Sequence, residues 1–219
     1  MPTVDLLHNP FSRRDGAPQH ASVNTSSPSA GSPPFAAAKP PAPVARYDAV
    51  AKLLHWCIAA ALLAQAAVGY RMQDIPKLPA GPRAFWFNMH KSVGITLGVL
   101  ILLRLAWRLA HRPPAWPTRM PAWQAKAATA LHGAMYAAML LMPLSGLVGS
   151  FASGRPILFF GMPVVGMGTE MPALKNACSA IHEALSWVLA AMVVAHVAAA
   201  LRHLLQGDGV FRRMWPGRG

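Results

Sequence analysis

The chain has 219 residues, of which 54% are hydrophobic and only 12% charged, yet its formal net charge is +13. With a positive mean hydropathy, this composition argues against a soluble globular domain. The basic surplus argues against nucleic acid once its placement is read, because the cations flank apolar runs instead of forming a patch.

Residues 1–45 hold nine of the 21 prolines, many Ser and Ala, and no apolar run of signal-peptide length. They read as a disordered cytoplasmic extension. Four apolar stretches follow: Leu53–Tyr70, Phe85–Trp107, Ala127–Val148 and Ile181–Leu201. Each approaches the ~20 residues that cross about 30 Å of hydrocarbon. With no water to satisfy the backbone there, each must be helical. The expected fold is therefore all-α, an integral membrane four-helix bundle over 46–216 with a short tail at 217–219.

Orientation follows from charge. Arg13, Arg14, Lys39, Arg46 and Lys52 precede the first helix; Arg104, Arg108, Arg112, Arg119 and Lys126 surround the second connection; Arg202, Arg212, Arg213 and Arg218 follow the fourth helix. Only Arg71, Lys77, Arg83, Lys91, Arg155 and Lys175 lie on the other side. The positive-inside rule puts both termini in the cytoplasm.

The connections carry their own signals. His111-Arg-Pro-Pro-Ala-Trp-Pro117 stops the second helix, since prolines supply no backbone donor, and Trp116 and Trp123 suit the headgroup region. Pro143 falls inside the third helix and should kink it. Gly154–Pro163 is apolar, too short to span, and broken by Gly and Pro, so it is expected to lie at the periplasmic interface and cap what the helices enclose. Cys57 and Cys178 fall at opposite faces and cannot pair.

The chemistry lies in the histidines. Of nine, His55, His90, His132, His182, His196 and His203 fall in or at the spans, where an ionisable residue is expensive and points to function. The plain alternative for any one is a neutral ring hydrogen-bonded to a neighbouring helix. Their arrangement favours function. His182 and His196 are 14 residues apart, about 21 Å of rise and ~40° short of four full turns, so both leave one face of the helix at two depths.

Each then needs a partner at its own level. His55 lies near the cytoplasmic start of the first helix and His90 near the periplasmic start of the second, which pairs His55 with His196 and His90 with His182. An iron porphyrin takes one neutral nitrogen on each face, so the two pairs suit two haem b groups, each iron held by two histidines. Without a C-x-x-C-H segment, attachment is non-covalent. His132 enters at the cytoplasmic level as a rival ligand. Arg104, Lys91 and His203 are candidate propionate contacts, although Arg104 and Lys91 also suit snorkelling. A metal or proton channel lacks its acid chain, since Glu183 is the only acid within a span.

These residues fall in a familiar order: Arg46-Tyr-Asp48 with Leu54-His-Trp56; Met89-His-Lys-Ser-Val-Gly94 with Leu103-Arg-Leu105 and His111-Arg-Pro-Pro114; Leu131-His-Gly-Ala-Met-Tyr136 with Met142-Pro-Leu-Ser-Gly146; then Ile181-His-Glu183, Ala195-His196, Ala200-Leu-Arg-His203 and Arg213-Met-Trp-Pro216. The chain so resembles the bacterial cytochrome b561 family of dihaem membrane cytochromes over Arg46 to Pro216. The resemblance implies that His55, His90, His182 and His196 are the haem ligands, and it assigns no ligand role to the third-helix histidine, here His132, which lowers the claim of that residue. It further implies an inner-membrane oxidoreductase moving electrons between a periplasmic partner and the quinone pool. The best-known type looks like a superoxide oxidase delivering electrons to ubiquinone, for which Lys91, Arg155 and Lys175 would supply a cationic approach. The alternative is a haem b anchor subunit relaying electrons for a separate redox enzyme.

Overall fold

A computed structural model describes residues 45–216 apart from 77, 79–81 and 118–119. The extension expected over 1–45, save its last residue, and the tail at 217–219 lie outside the described residues. Four long helices are found where the apolar runs predicted them: α1 (Ala49–Arg71), α2 (Arg83–Ala110), α3 (Ala122–Phe151) and α4 (Pro172–Gln206). All four are long and apolar enough to cross a membrane. A two-stranded hairpin, β1 (Ile157–Phe159) and β2 (Met162–Val165), sits between α3 and α4, and a short 3-10 turn, η1 (Phe211–Arg213), follows α4.

The helices outrun their apolar cores at both ends. α4 has 35 residues, about 52 Å at 1.5 Å per residue. It begins nine residues before the predicted span, with Pro172 in its first turn, where a missing N–H costs nothing. It ends at Gly207, whose φ of 64° is the left-handed conformation glycine adopts at a helix C-terminus. Asp48 caps α1, accepting from Ala51 N–H at 2.8 Å and from Trp107 Nε1 of α2 at 3.1 Å. Arg83 closes the other end of that pair by donating to the carbonyls of Gln73 and Ile75 beyond α1.

α1 packs along α2, α2 along α3 and α3 along α4, whereas α4 makes little close backbone approach to α1 or α2. Small residues permit the α3–α4 contact: a Cβ on Gly149 would stand 3.1 Å from Cys178 Cβ. The buried core is a thin mid-depth layer of Ile58, Leu97, Ile101, Ala138, Met139 and Leu189. Large apolar side chains such as Leu102, Leu103, Trp187 and Val194 point outward, as helices solvated by lipid require. α3 runs through Pro143 as one helix, and Gly98 of α2 packs against the proline ring.

The apolar Gly154–Pro163 segment forms the hairpin. Its two-residue turn, Phe160-Gly161, has φ of 48° and 90°, the positive values of a type I′ turn. Ser92 of α2, fully buried, holds it: Phe160 N–H donates to Ser92 Oγ at 2.9 Å. The hairpin is thus anchored two residues from His90.

At the opposite end, η1 folds back on the start of α1. Tyr47 N–H donates to the Arg213 carbonyl, and Trp56 Nε1 to the Met214 carbonyl. Arg213 is 3% exposed. Its guanidinium donates to Pro114 O and stands over the rings of Tyr47 and Trp116. Trp116, which packs on this arginine, and Trp123 are both exposed. The free cysteines are apart, Cys57 exposed and Cys178 buried.

Arg213→Ala removes a charge-assisted hydrogen bond and two ring contacts from a buried site, so it should destabilise the protein by about 2–3 kcal/mol. Denaturant unfolding in detergent measures this; an unchanged midpoint would mean that the clasp contributes nothing.

Candidate haem site

Histidines from three helices meet in two groups at two depths. At the hairpin end, His90 of α2 and His182 of α4 face each other with ring centroids 6.2 Å apart. At the end that carries the termini, His55 of α1 and His196 of α4 do so at 6.1 Å. Leu189 lies seven residues from each α4 histidine and belongs to the core layer that separates the levels. Depth alone predicted both pairings, and the rings are found together accordingly.

The spacing bears on what could sit between them. Two metal–imidazole bonds of about 2.0 Å in line place the ring centroids about 6.2 Å apart, and both pairs are within 0.1 Å of that. His132 of α3 stands 5.1 Å from His196, too close for an ion held in line between those two rings. Its Nδ1 donates to the Ala128 carbonyl, the ordinary way in which a helical histidine satisfies itself.

Ring environments differ among the four. His182 Nδ1 lies 3.1 Å from the Met142 carbonyl, one residue before Pro143, and 3.0 Å from Ser145 Oγ. Bonding to the carbonyl fixes the proton on Nδ1 and leaves Nε2 as a lone pair, the tautomer that a metal ligand needs. His90 Nδ1 is buried with no partner. A Cβ on Gly69 of α1 would stand 3.0 Å from His90 Cε1, and one on Gly146 of α3 would stand 3.3 Å from His182 Cε1. Two glycines therefore clear the space in which the paired rings lie. Gln65 of α1 donates to the His90 carbonyl, tying α1 to α2 at this level.

His55 is held differently. Arg104 Nη1 lies 2.7 Å from His55 Nδ1, and Arg104 Nε donates to Tyr136 Oη at 3.0 Å. A guanidinium cannot accept a hydrogen bond, so His55 Nδ1 is the acceptor. Of the other predicted propionate contacts, Lys91 lies beside His90 within electrostatic reach of Arg155. His203 is engaged elsewhere, its Nδ1 paired with Asp208 beyond the helix at 2.5 Å. His111 caps α2 and stacks on Trp107.

Gly69, Gln65 and the part played by Ser145 were not predicted. A glycine or glutamine in an apolar helix carries no signal of its partner. Ser145 and Gly146 stood within a recognised motif whose residues gave no sign of these partners.

A four-helix membrane bundle that gathers histidines in pairs at two depths has the make-up of a membrane protein able to carry haem. The comparisons agree: the family described as prokaryotic cytochrome b561 matches residues 46–217. The chain belongs to that family. It is similar to cytochrome b561 homolog 1 of Escherichia coli (strain K12), 29% identical over 177 residues that cover 79% of this chain and 98% of the relative. It is also similar to cytochrome b561 homolog 2 of the same organism, 29% identical over 176 residues that cover 77% and 90%. Membership makes it a multi-pass inner-membrane protein that binds haem b and transfers electrons.

Gly69→Ala should crowd His90 more than Gly146→Ala crowds His182, given separations of 3.0 and 3.3 Å. Gly133→Ala, on α3 with open space around it, serves as the control. Haem content and the low-temperature optical bands should fall or shift most in Gly69→Ala, less in Gly146→Ala and not in Gly133→Ala; any other order would show that the glycines do not set the ring positions.

Proposed function

We propose that the protein carries single electrons across the inner membrane through two b haems, one held by His90 and His182 and the other by His55 and His196. The observation that carries this reading is the spacing of the two pairs. A haem with both axial positions filled accepts and donates single electrons and leaves no open site for substrate on the iron. The protein's part is to present four neutral imidazoles at fixed separation, two depths apart, in a bundle that excludes water.

The His90–His182 pair is the outer one and both termini are cytoplasmic, as the distribution of cations favours. At the inner level Arg104 has a second task. An axial nitrogen must be unprotonated, so coordination through His55 Nε2 requires Arg104 to release Nδ1. A haem propionate is the acceptor that would draw the guanidinium away, supported by the arginine's position between His55 and Tyr136. At the outer level Lys91 and Arg155, with Lys175 further along, offer a positive approach to an anionic one-electron donor, for which superoxide is the candidate. The acceptor at the inner level is the membrane quinone pool, with ubiquinone the candidate species.

Reduced-minus-oxidised spectra with haem quantified per chain test the ligand assignment. The wild type should hold two haems, and His90→Ala and His196→Ala one each, while His132→Ala should keep two. Loss of a haem in His132→Ala, with two retained in His196→Ala, would overturn the inner pair.

The superoxide reading has a separate test. Lys91→Glu, at unchanged haem content, should slow superoxide-driven quinone reduction several-fold and flatten its dependence on ionic strength. An unchanged rate and salt profile would remove Lys91 from the approach, and absence of superoxide-driven quinone reduction in the wild type would remove superoxide as the donor.

A further inference from the structure

At the terminal end of the bundle, the start of α1, the last turns of α2, the following loop and the segment after α4 enclose a cavity of about 480 Å³. Arg46, Arg104, Arg108, Arg112 and His111 line it, and Asp48 is the one carboxylate on its wall. That carboxylate is already engaged by Ala51 N–H and Trp107 Nε1. Arg104 and Arg108 both stand over the ring of Tyr136, their guanidinium carbons 5.9 and 5.8 Å from its centroid. Neither they nor Arg112 has a carboxylate partner among the described residues.

Cations gathered in a half-buried space repel one another more than they would in water, and a multidentate anion turns that cost into attraction. We propose that this cavity binds the phosphate of an anionic phospholipid, with Arg108 and Arg112 as its principal donors. Three features favour a lipid phosphate over a soluble one. The cavity adjoins the ends of membrane-spanning helices, at headgroup depth. Its volume is several times that of a phosphate group. Part of its wall is apolar, from Ala51, Ala110, Pro113 and Met214, which suits the glycerol and the first methylenes of a lipid. A neutral quinone ring would gain little from so much positive charge.

The site is distinct from the haem reading except at Arg104, which the test leaves untouched. Haem-loaded full-length protein in neutral detergent is titrated calorimetrically with phosphatidylglycerol or phosphatidylcholine carried in micelles. Phosphatidylglycerol should bind at a saturable site and phosphatidylcholine should not. An Arg108→Gln, Arg112→Gln double variant with native haem absorbance and unfolding midpoint should bind phosphatidylglycerol about tenfold more weakly or worse, and the corresponding double lysine variant should lose less. Arg112→Gln alone, at an exposed position, provides the same comparison if the double variant misfolds.

Equal binding of phosphatidylcholine, or wild-type affinity in the glutamine variants, would overturn the proposal. Displacement by millimolar inorganic phosphate would make this a soluble-anion site, and displacement by ubiquinone would make it a quinone pocket. Either result removes the lipid without touching the haem assignment, which rests on haem counts.

Discussion

A histidine within a bilayer is costly, and this bundle gathers four of them, from three helices, into two pairs at two depths. His182 has the Met142 carbonyl on one nitrogen and His90 across the interface from the other. Ser145, three residues along α3, donates to the same carbonyl and stands 3.0 Å from the His182 ring nitrogen, so the three groups form one cluster. The glycines are its steric counterpart. An imidazole close against a neighbouring helix is crowded by a Cβ there, and Gly69 and Gly146 leave that space open on two different helices. Ring orientation at the hairpin end is thereby set by backbone groups and by missing atoms.

The opposite end is fixed by charge and by aromatic rings. Trp56, beside His55, donates to the Met214 carbonyl and packs on Trp215, so the C-terminal segment reaches back to the helix that carries a proposed ligand. Arg213 holds that segment against the α2–α3 loop. Asp48 draws the start of α1 to the last turns of α2 through Trp107. These contacts join parts of the chain far apart in sequence, and they explain why the motif Arg213-Met-Trp-Pro216 belongs with Arg46-Tyr-Asp48 although neither contains a haem ligand.

Much of this was legible in the residues. The spans follow from hydropathy because lipid imposes one solution on an apolar run of that length, and the pairing of His55 with His196 and His90 with His182 follows from a 14-residue separation and the direction of each helix. The hairpin was not legible. β2 is exposed throughout, and both strands are apolar on both faces, so the alternation that marks a strand is missing; only Gly161 signalled the turn. The extent of α4 was missed because Lys175 and Asn176 end the apolar run without ending the helix. The pairing of His203 with Asp208, brought round by the turn at Gly207, was likewise unsignalled.

The packing of α4 ties these observations together. This helix carries one member of each histidine pair, yet it packs closely along α3 alone, through small residues, and approaches α1 and α2 only marginally. Lipid gives no hydrophobic drive to close such an interface, since apolar side chains are as well solvated by acyl chains as by one another. Beyond its packing on α3, what α4 shares with α1 and α2 is the two histidine pairs. A porphyrin held by one ring from α4 and one from α1 or α2 would bind the assembled bundle and not its separated helices, and by linkage it would stabilise that assembly. The histidine spacing that suits the cofactor and the helix arrangement that leaves room for it are two expressions of the same coupling between haem binding and folding.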